Sequence, residues 1–185
     1  VVSFFFPFSK DIVLSNKNDE DVSYQWANSY IIANSLINDI SESIIEYLNE
    51  KGIKAATIKA THTYDEKNLK SSWSHRSAAY IAGLGKFGVN RMLITEKGCA
   101  GRYGSVIISH EIQPDERLEE EYCIYYKTGD CLKCIEACPV SALHIDGFHR
   151  FTCHDQLLKN SEKFKDIGKC DVCGKCIVYC PIATI

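Results

Sequence analysis

All but one of the ten cysteines of this 185-residue chain fall between Cys123 and Cys180, many of them only two or three residues apart. No other feature limits the fold so strongly. A disulfide-stapled domain spreads its cysteines among loops, and neighbours this close do not readily bridge to one another, whereas they can share one metal centre. "CDVCGKCIVYCP" holds Cys170, Cys173, Cys176 and Cys180 followed by Pro181, the C-x2-C-x2-C-x3-C-P spacing of bacterial 4Fe-4S ferredoxins. Three thiolates on a tight loop cap three irons of one cubane, while the fourth reaches a second cluster. Such a motif therefore calls for a partner motif.

The partner is "CLKCIEACPV", with Cys131, Cys134, Cys138 and Pro139. Its first ligand position is taken by Thr128. Crossed ligation assigns Cys138, Cys170, Cys173 and Cys176 to one cluster, and Cys131, Cys134 and Cys180 to the other. Cys123, the nearest upstream thiol, is chosen as the eighth ligand. A three-iron cluster at that altered site is the other reading. Tetrahedral zinc is the competing metal, since paired C-x2-C units also make zinc sites, although a third cysteine and one before proline have no use there.

Before the cysteines the chain reads as an α/β body. "VVSFFFPF" is a buried strand. From Val22 to about Glu50 the apolar residues Tyr24, Ala27, Tyr30, Ile31, Ile37, Ile40, Ile44, Ile45 and Leu48 recur at three- and four-residue steps, the period of an amphipathic helix, closed by Gly52. Ile53–Ala60 reads as a strand, 61–72 as a loop, and "SHRSAAYIAGLG" as a short helix opened by Ser74. "RMLIT" and "YGSVIISHEI" read as strands, and "ALHIDGFHRF" as a hairpin. The shift to "EIQPDERLEEE" marks a boundary, giving an α/β domain over 1–113 and a ferredoxin-like module over 114–185. The first residue is Val1 rather than Met, as expected of a piece of a longer polypeptide. No signal-peptide pattern is visible.

With 45% hydrophobic and 24% charged residues the chain can bury one core, or one core and a small satellite. A net charge of -3 gives no electrostatic case for nucleic acid. No apolar run approaches the roughly 20 residues of a membrane span. The cysteine usage fits a reducing, cytoplasmic setting.

"AGLGKFGVN" contains G-x-G-x-x-G at Gly83, Gly85 and Gly88. A dinucleotide fingerprint needs a strand before the glycines, a helix after them, and an acid about 20 residues on. Here a helix precedes and a strand follows, so nicotinamide binding is not expected. The stretch "SHRSAAYIAGLGKFGVNRMLITEKGCAGRYGSVI", together with the two cysteine motifs, instead resembles epoxyqueuosine reductases, with reductive dehalogenases as more distant relatives. The resemblance implies a nitroreductase-like α/β body that holds cobalamin, followed by a two-cluster ferredoxin-like module that feeds electrons to the cobalt. It places Gly83, Gly85, Phe87, Gly88 and Asn90 against the corrinoid. Leu69 stands near the place of the family's catalytic acid, and Asp65 is the closest acid. It also makes Cys153, in "FTCHDQL", an alternative to Cys170 as ligand of the second cluster.

Two functions follow. One is an oxidoreductase resembling epoxyqueuosine reductase, passing electrons from two 4Fe-4S clusters to a corrinoid or a small-molecule substrate in the α/β domain, and supplied by a low-potential donor. The other is a non-catalytic electron-transfer protein or reductase subunit serving a partner. A purely structural role for the clusters is the third and plainest reading. His75 and Arg76 suit an anion or a capped helix start. His62, Tyr64 and Asp65 read as a polar turn. His144, His149 and His154 read as surface histidines near the clusters, and Tyr122, Tyr125 and Tyr126 as a shield against water.

Overall fold

The computed structural model describes residues 1–60 and 64–184, a mixed helix and strand chain as the sequence implies. His62 lies outside the described residues. Strand β1 (Val2–Pro7) leads to helix α1 (Lys10–Asn18), whose first turn is capped by the Ser9 hydroxyl accepting from Ile12 N. Helix α2 (Tyr24–Glu50) starts two residues later than Val22, because the Ser23 hydroxyl accepts from Trp26 N, 3.2 Å away, and fixes the boundary. Its inward face is Trp26, Ala27, Ala33, Ile37 and Ser41, whereas Tyr24 is 56% exposed. The helix ends where Gly52 donates to the Asn49 carbonyl.

Strand β2 (Ala55–Thr57) is shorter than the expected Ile53–Ala60. Helix α3 (His75–Ile81) is capped by Ser74, followed by β3 (Gly85–Phe87), β4 (Leu93–Thr95) and β5 (Gly101–Ile108). The sheet order is β1-β5-β2, all antiparallel, and β3 pairs with β4 as a separate hairpin. Ala79, Leu93 and Tyr103 pack between α3 and this hairpin, and the Tyr103 hydroxyl donates to the Leu93 carbonyl at 2.6 Å.

No helix or strand forms from Glu111 to Tyr122, and this segment runs over the glycines, with Leu118 N donating to Gly83 O at 3.4 Å. The cysteine-rich part carries α4 (Ile124–Thr128), α5 (Lys133–Glu136), α6 (Arg150–Lys163) and α7 (Lys175–Val178). A bridge between Leu143 and Phe148 closes the expected turn. Both parts share one core, in which Phe8, Trp26 and Ala33 meet Cys170, Val172 and Ala183. Backbone bonds join them too: Ala100 N donates to Ala183 O at 2.8 Å, and Cys99 N reaches the Ile182 and Ala183 carbonyls. Among the described residues no helix is long and apolar enough to cross a membrane.

Candidate functional site

Turns and very short helices carry the thiols, so each sulfur is aimed by backbone that packs against the body. Cys123 precedes α4 and its N–H donates to Glu121 Oε1 at 2.8 Å. Cys131 and Cys134 flank the start of α5, and Cys180 follows α7. These four cysteines line one narrow cavity, walled on the other side by Val89, Asn90, Ile94 and Ile182. Thr128, at the motif's vacant position, returns its hydroxyl to the Ile124 carbonyl within α4 instead.

Cys138, Cys153, Cys173 and Cys176 line a second cavity of about 290 Å³, between the body and the cysteine-rich part. Cys170 is not among its walls. It is fully buried beside Trp26 and Val172 in the shared core. Cys153 reaches the cavity because α6 presents Cys153, Gln156 and Leu157 on one face, with the buried Asn160 a turn further on. That stripe at three- and four-residue steps was readable in the sequence.

Electrostatics divide the thiols the same way. Burial, then Cys180, Cys123 and Cys131, push Cys134 up to about 11. Burial, then Cys173 and Cys138, push Cys153 up to about 11. Cys170 is raised by burial and by Asp171, with no thiol contributing. Cys176 is raised by burial and then by Cys173, Cys153, Cys134 and Cys138, so it neighbours both groups. Crowded, desolvated thiols resist ionisation, and a bound cation reverses this by holding them as thiolates. One sulfur departs from the pattern: a hydrogen bond with Cys99 brings Cys180 down to about 7. Among the described residues no three His, Cys, Asp or Glu side chains are gathered closely enough to hold a single metal ion.

The larger cavity has apolar walls from Phe8, Trp26, Tyr30, Leu143 and Phe148, and three guanidiniums, Arg76, Arg91 and Arg102. Arg91, in the left-handed region at φ 60, extends Nη2 to the carbonyls of His144 at 3.2 Å, Ile145 at 3.4 Å and Gly147 at 3.1 Å, while its buried Nε has no hydrogen-bond partner among the described residues. It thereby pins the 142–148 turn over the cavity. Sequence patterns give no sign of this. Arg76 Nη1 donates to Met92 Sδ at 3.0 Å, and desolvation lowers its pKa. Arg102 Nε donates to Asn34 Oδ1 at 2.9 Å.

The other expected site residues are placed as follows. A side chain at Gly85 would lie 2.1 Å from the Ile94 carbonyl, one at Gly88 would strike the Ile94 side chain, and one at Gly83 would press on the Arg117 backbone. These glycines serve close packing of the hairpin and of the segment over it. Phe87 packs against Tyr80 with ring centroids 5.3 Å apart. Of the five residues in that segment expected to touch cofactor, Asn90 lines both cavities. Asp65 is fully exposed, and its carboxylate is held within its own turn by Lys67 N and Asn68 Nδ2. His75 Nδ1 lies 2.7 Å from Ser105 Oγ, and Tyr64 Oη lies 2.9 Å from His154 Nε2. The His144 and His149 rings meet edge to face, 4.9 Å apart. Tyr122 and Tyr125 pack against the core around Cys123 and Cys134, while Tyr126 is 47% exposed.

No family model matches the chain. It is 35% identical over 71 residues to an epoxyqueuosine reductase of Lactococcus garvieae, a match covering 38% of this chain and 19% of that protein. The fold is similar to an epoxyqueuosine reductase from Bacillus subtilis solved with its catalytic loop swung out of the active site: TM-score 0.58, 21% identity, 81% of this chain and 38% of that one. A selenomethionine-labelled epoxyqueuosine reductase gives a TM-score of 0.59 at 22% identity, over 81% of this chain and 39% of that one. The chain thus spans about a fifth of the curated relative and about two fifths of the solved ones.

Proposed function

We propose that the chain is an iron-sulfur oxidoreductase of epoxyqueuosine-reductase type, with a nitroreductase-like body and a ferredoxin-like module carrying two 4Fe-4S clusters. Cys123, Cys131, Cys134 and Cys180 hold the first cluster. Cys138, Cys173, Cys176 and Cys153 hold the second, with Cys153 replacing Cys170. The observation that carries this reading is the division of eight thiols into two sets of four, each opening on its own cavity. Thiols set around a cavity suit a polynuclear centre, whereas a zinc ion draws its sulfurs to within about 2.3 Å of one point.

Cys176 neighbours both sets, which supports electron passage from one cluster to the other. A low-potential donor supplies the electrons. The acceptor docks at the mouth of the larger cavity, whose volume of about 290 Å³ does not admit a whole corrinoid beside a cluster, and Arg76, Arg91 and Arg102 favour one bearing negative charge. As the resemblance implies, a corrinoid is the proposed acceptor; bound there it supplies a cobalt centre able to take electrons. Asn90, the residue common to both cavities, orients it. The exposed turn holding Asp65 favours the second reading, in which electrons leave to a partner protein or small molecule, because no proton donor reaches the cavity from that residue.

Anaerobic reconstitution with iron and sulfide tests the assignment. About eight irons per chain are expected. Cys153→Ala is expected to lose the second cluster, and Cys170→Ala to keep both. Zinc in place of iron, or the reverse ranking of these variants, refutes the ligand sets. Added cobalamin that changes its visible spectrum under reductant, and does so with the Arg91→Ala variant only weakly, separates the corrinoid reading from the relay.

A further inference from the structure

One sulfur of the second thiol set already accepts a hydrogen bond: Ala142 N donates to Cys138 Sγ at 3.2 Å. Cys138 lines the larger cavity with Cys153, Cys173 and Cys176. The bond forms because the exposed Ser141 stands in the left-handed region at φ 50, folding the chain back after Pro139 and Val140, while Ser141 N donates to Cys138 O at 3.1 Å. A non-glycine residue keeps that backbone only where its surroundings over-determine it. Here the residues that follow do so. The 142–148 turn is closed by His149 N on Ala142 O at 2.9 Å, by His144 N on Gly147 O at 3.0 Å and by the Leu143–Phe148 bridge, and a hairpin this short is marginal by itself. Arg91, at the end of the glycine segment, adds the three bonds from Nη2 to the carbonyls of His144, Ile145 and Gly147.

From this chain of contacts we infer that Arg91 is a positioning residue for the second cluster: by pinning the turn it keeps Ser141 left-handed and the Ala142 N–H on the Cys138 thiolate, and so raises that cluster's reduction potential. The inference rests on the ligand assignment proposed above, in which Cys138 is a ligand. A donor to a ligand sulfur stabilises the more negative, reduced cluster more than the oxidised one, and hydrogen bonds to cluster sulfurs help to set potential. With Arg91 removed, Ser141 is free to relax toward negative φ, which swings the 141–142 peptide and takes its N–H off the sulfur. One such bond is worth about tenfold in an equilibrium constant. The ratio of reduced to oxidised cluster at fixed poise should therefore fall by up to about tenfold, which for one electron is about 59 mV.

The test is a mediated redox titration followed by EPR on the full chain, reconstituted with iron and sulfide and without corrinoid, comparing wild type, Arg91→Met, Ser141→Gly and the double variant. The signal to follow is the one that Cys153→Ala abolishes. Its potential is expected to fall in Arg91→Met, to stay at the wild-type value in Ser141→Gly, and to return toward wild type in the double variant, because glycine holds a positive φ at no steric cost. The guanidinium charge is missing from the double variant too, so that return comes through the turn. A double variant that stays at the Arg91→Met value overturns the inference in favour of charge acting through space, and an unchanged potential in Arg91→Met overturns it outright; both leave the ligand sets standing. Loss of iron in Arg91→Met beside full occupancy in wild type overturns it as well, since Arg91 would then hold the cluster rather than tune it. An iron-free wild type overturns both readings together.

Discussion

Gly174 lies between Cys173 and Cys176, at φ 75, with its Cα against the indole of Trp26: an added Cβ would sit 2.4 Å from Trp26 Cε2 and Cζ2. Trp26 has little room to yield, being 4% exposed and packed edge to face on Phe8 at 5.3 Å. Gly174→Ala therefore carries two costs. The left-handed backbone costs about 1–2 kcal/mol, and the overlap with the indole adds about 1–3 kcal/mol. Gly52 supplies the control, because it has φ 76 and, among the described residues, nothing within 4 Å of the added Cβ. Gly52→Ala should bear the backbone cost alone, so the difference between the variants isolates the overlap at about 1–3 kcal/mol. Urea denaturation of the reduced chain measures both, and reconstitution should show Gly174→Ala binding less iron because Cys173 and Cys176 are displaced with the loop. Equal destabilisation of the two variants would refute the view that Trp26 is a rigid wall behind the thiol-bearing loop.

Lys175, 7% exposed, donates to the carbonyls of Asn16 at 2.7 Å and Asp19 at 2.9 Å; Lys175→Met should cost about 2–4 kcal/mol, since both carbonyls at the end of α1 lose a charged donor, and intact stability by urea denaturation would count against that linkage. Arg91→Ala should leave the global fold in place but release the 142–148 turn, seen as faster amide exchange at His144 and His149, whose N–H groups are otherwise bonded to Gly147 O and Ala142 O. Asp21 is held below the usual carboxylate value chiefly by its hydrogen bond with Lys163. Its contribution is present above the unfolded value near 3.9 and lost as pH falls through the lower folded value; both side chains are 52% exposed, so Asp21→Asn should cost only about 0.2–1 kcal/mol at pH 7 and nothing at low pH. Thermal unfolding of wild type and variant at both pH values checks the sign.

What the sequence disclosed about the fold was mostly local. Ser74 and Gly52 bounded their helices because a cap is a short-range contact between one residue and the next turn, whereas the apolar periodicity puts the start of α2 at Val22, two residues before Tyr24. The three- and four-residue steps located α2, although they put Tyr24 on the inner face where Trp26 belongs, since neighbouring aromatics compete for one core position. Thiol spacing located the candidate site. Local spacing also favoured Cys170 over Cys153, and there the structure differs: Cys170 is turned into the core shared with Trp26, while α6, between the two cysteine motifs, presents Cys153 to the cavity. The glycines at 83, 85 and 88 looked like a surface for a ligand, yet they are demanded by backbone and side chains that approach from Ile94 and Arg117. Arg91 was illegible because its role depends on a left-handed backbone at a non-glycine residue and on three carbonyls more than fifty positions away.

The backbone ladder that ties Gly98, Cys99 and Ala100 to Ile182, Ala183 and Thr184 has a mechanical corollary. Those residues come immediately after one sulfur-bearing loop and immediately before the central strand of the sheet. To swing the loops outward, several buried peptide bonds would have to be stripped of their partners at once. The loop that ends at Cys180 is thereby anchored to the sheet like a hinge pinned shut, and any proposed passage of electrons through it would run over a fixed distance.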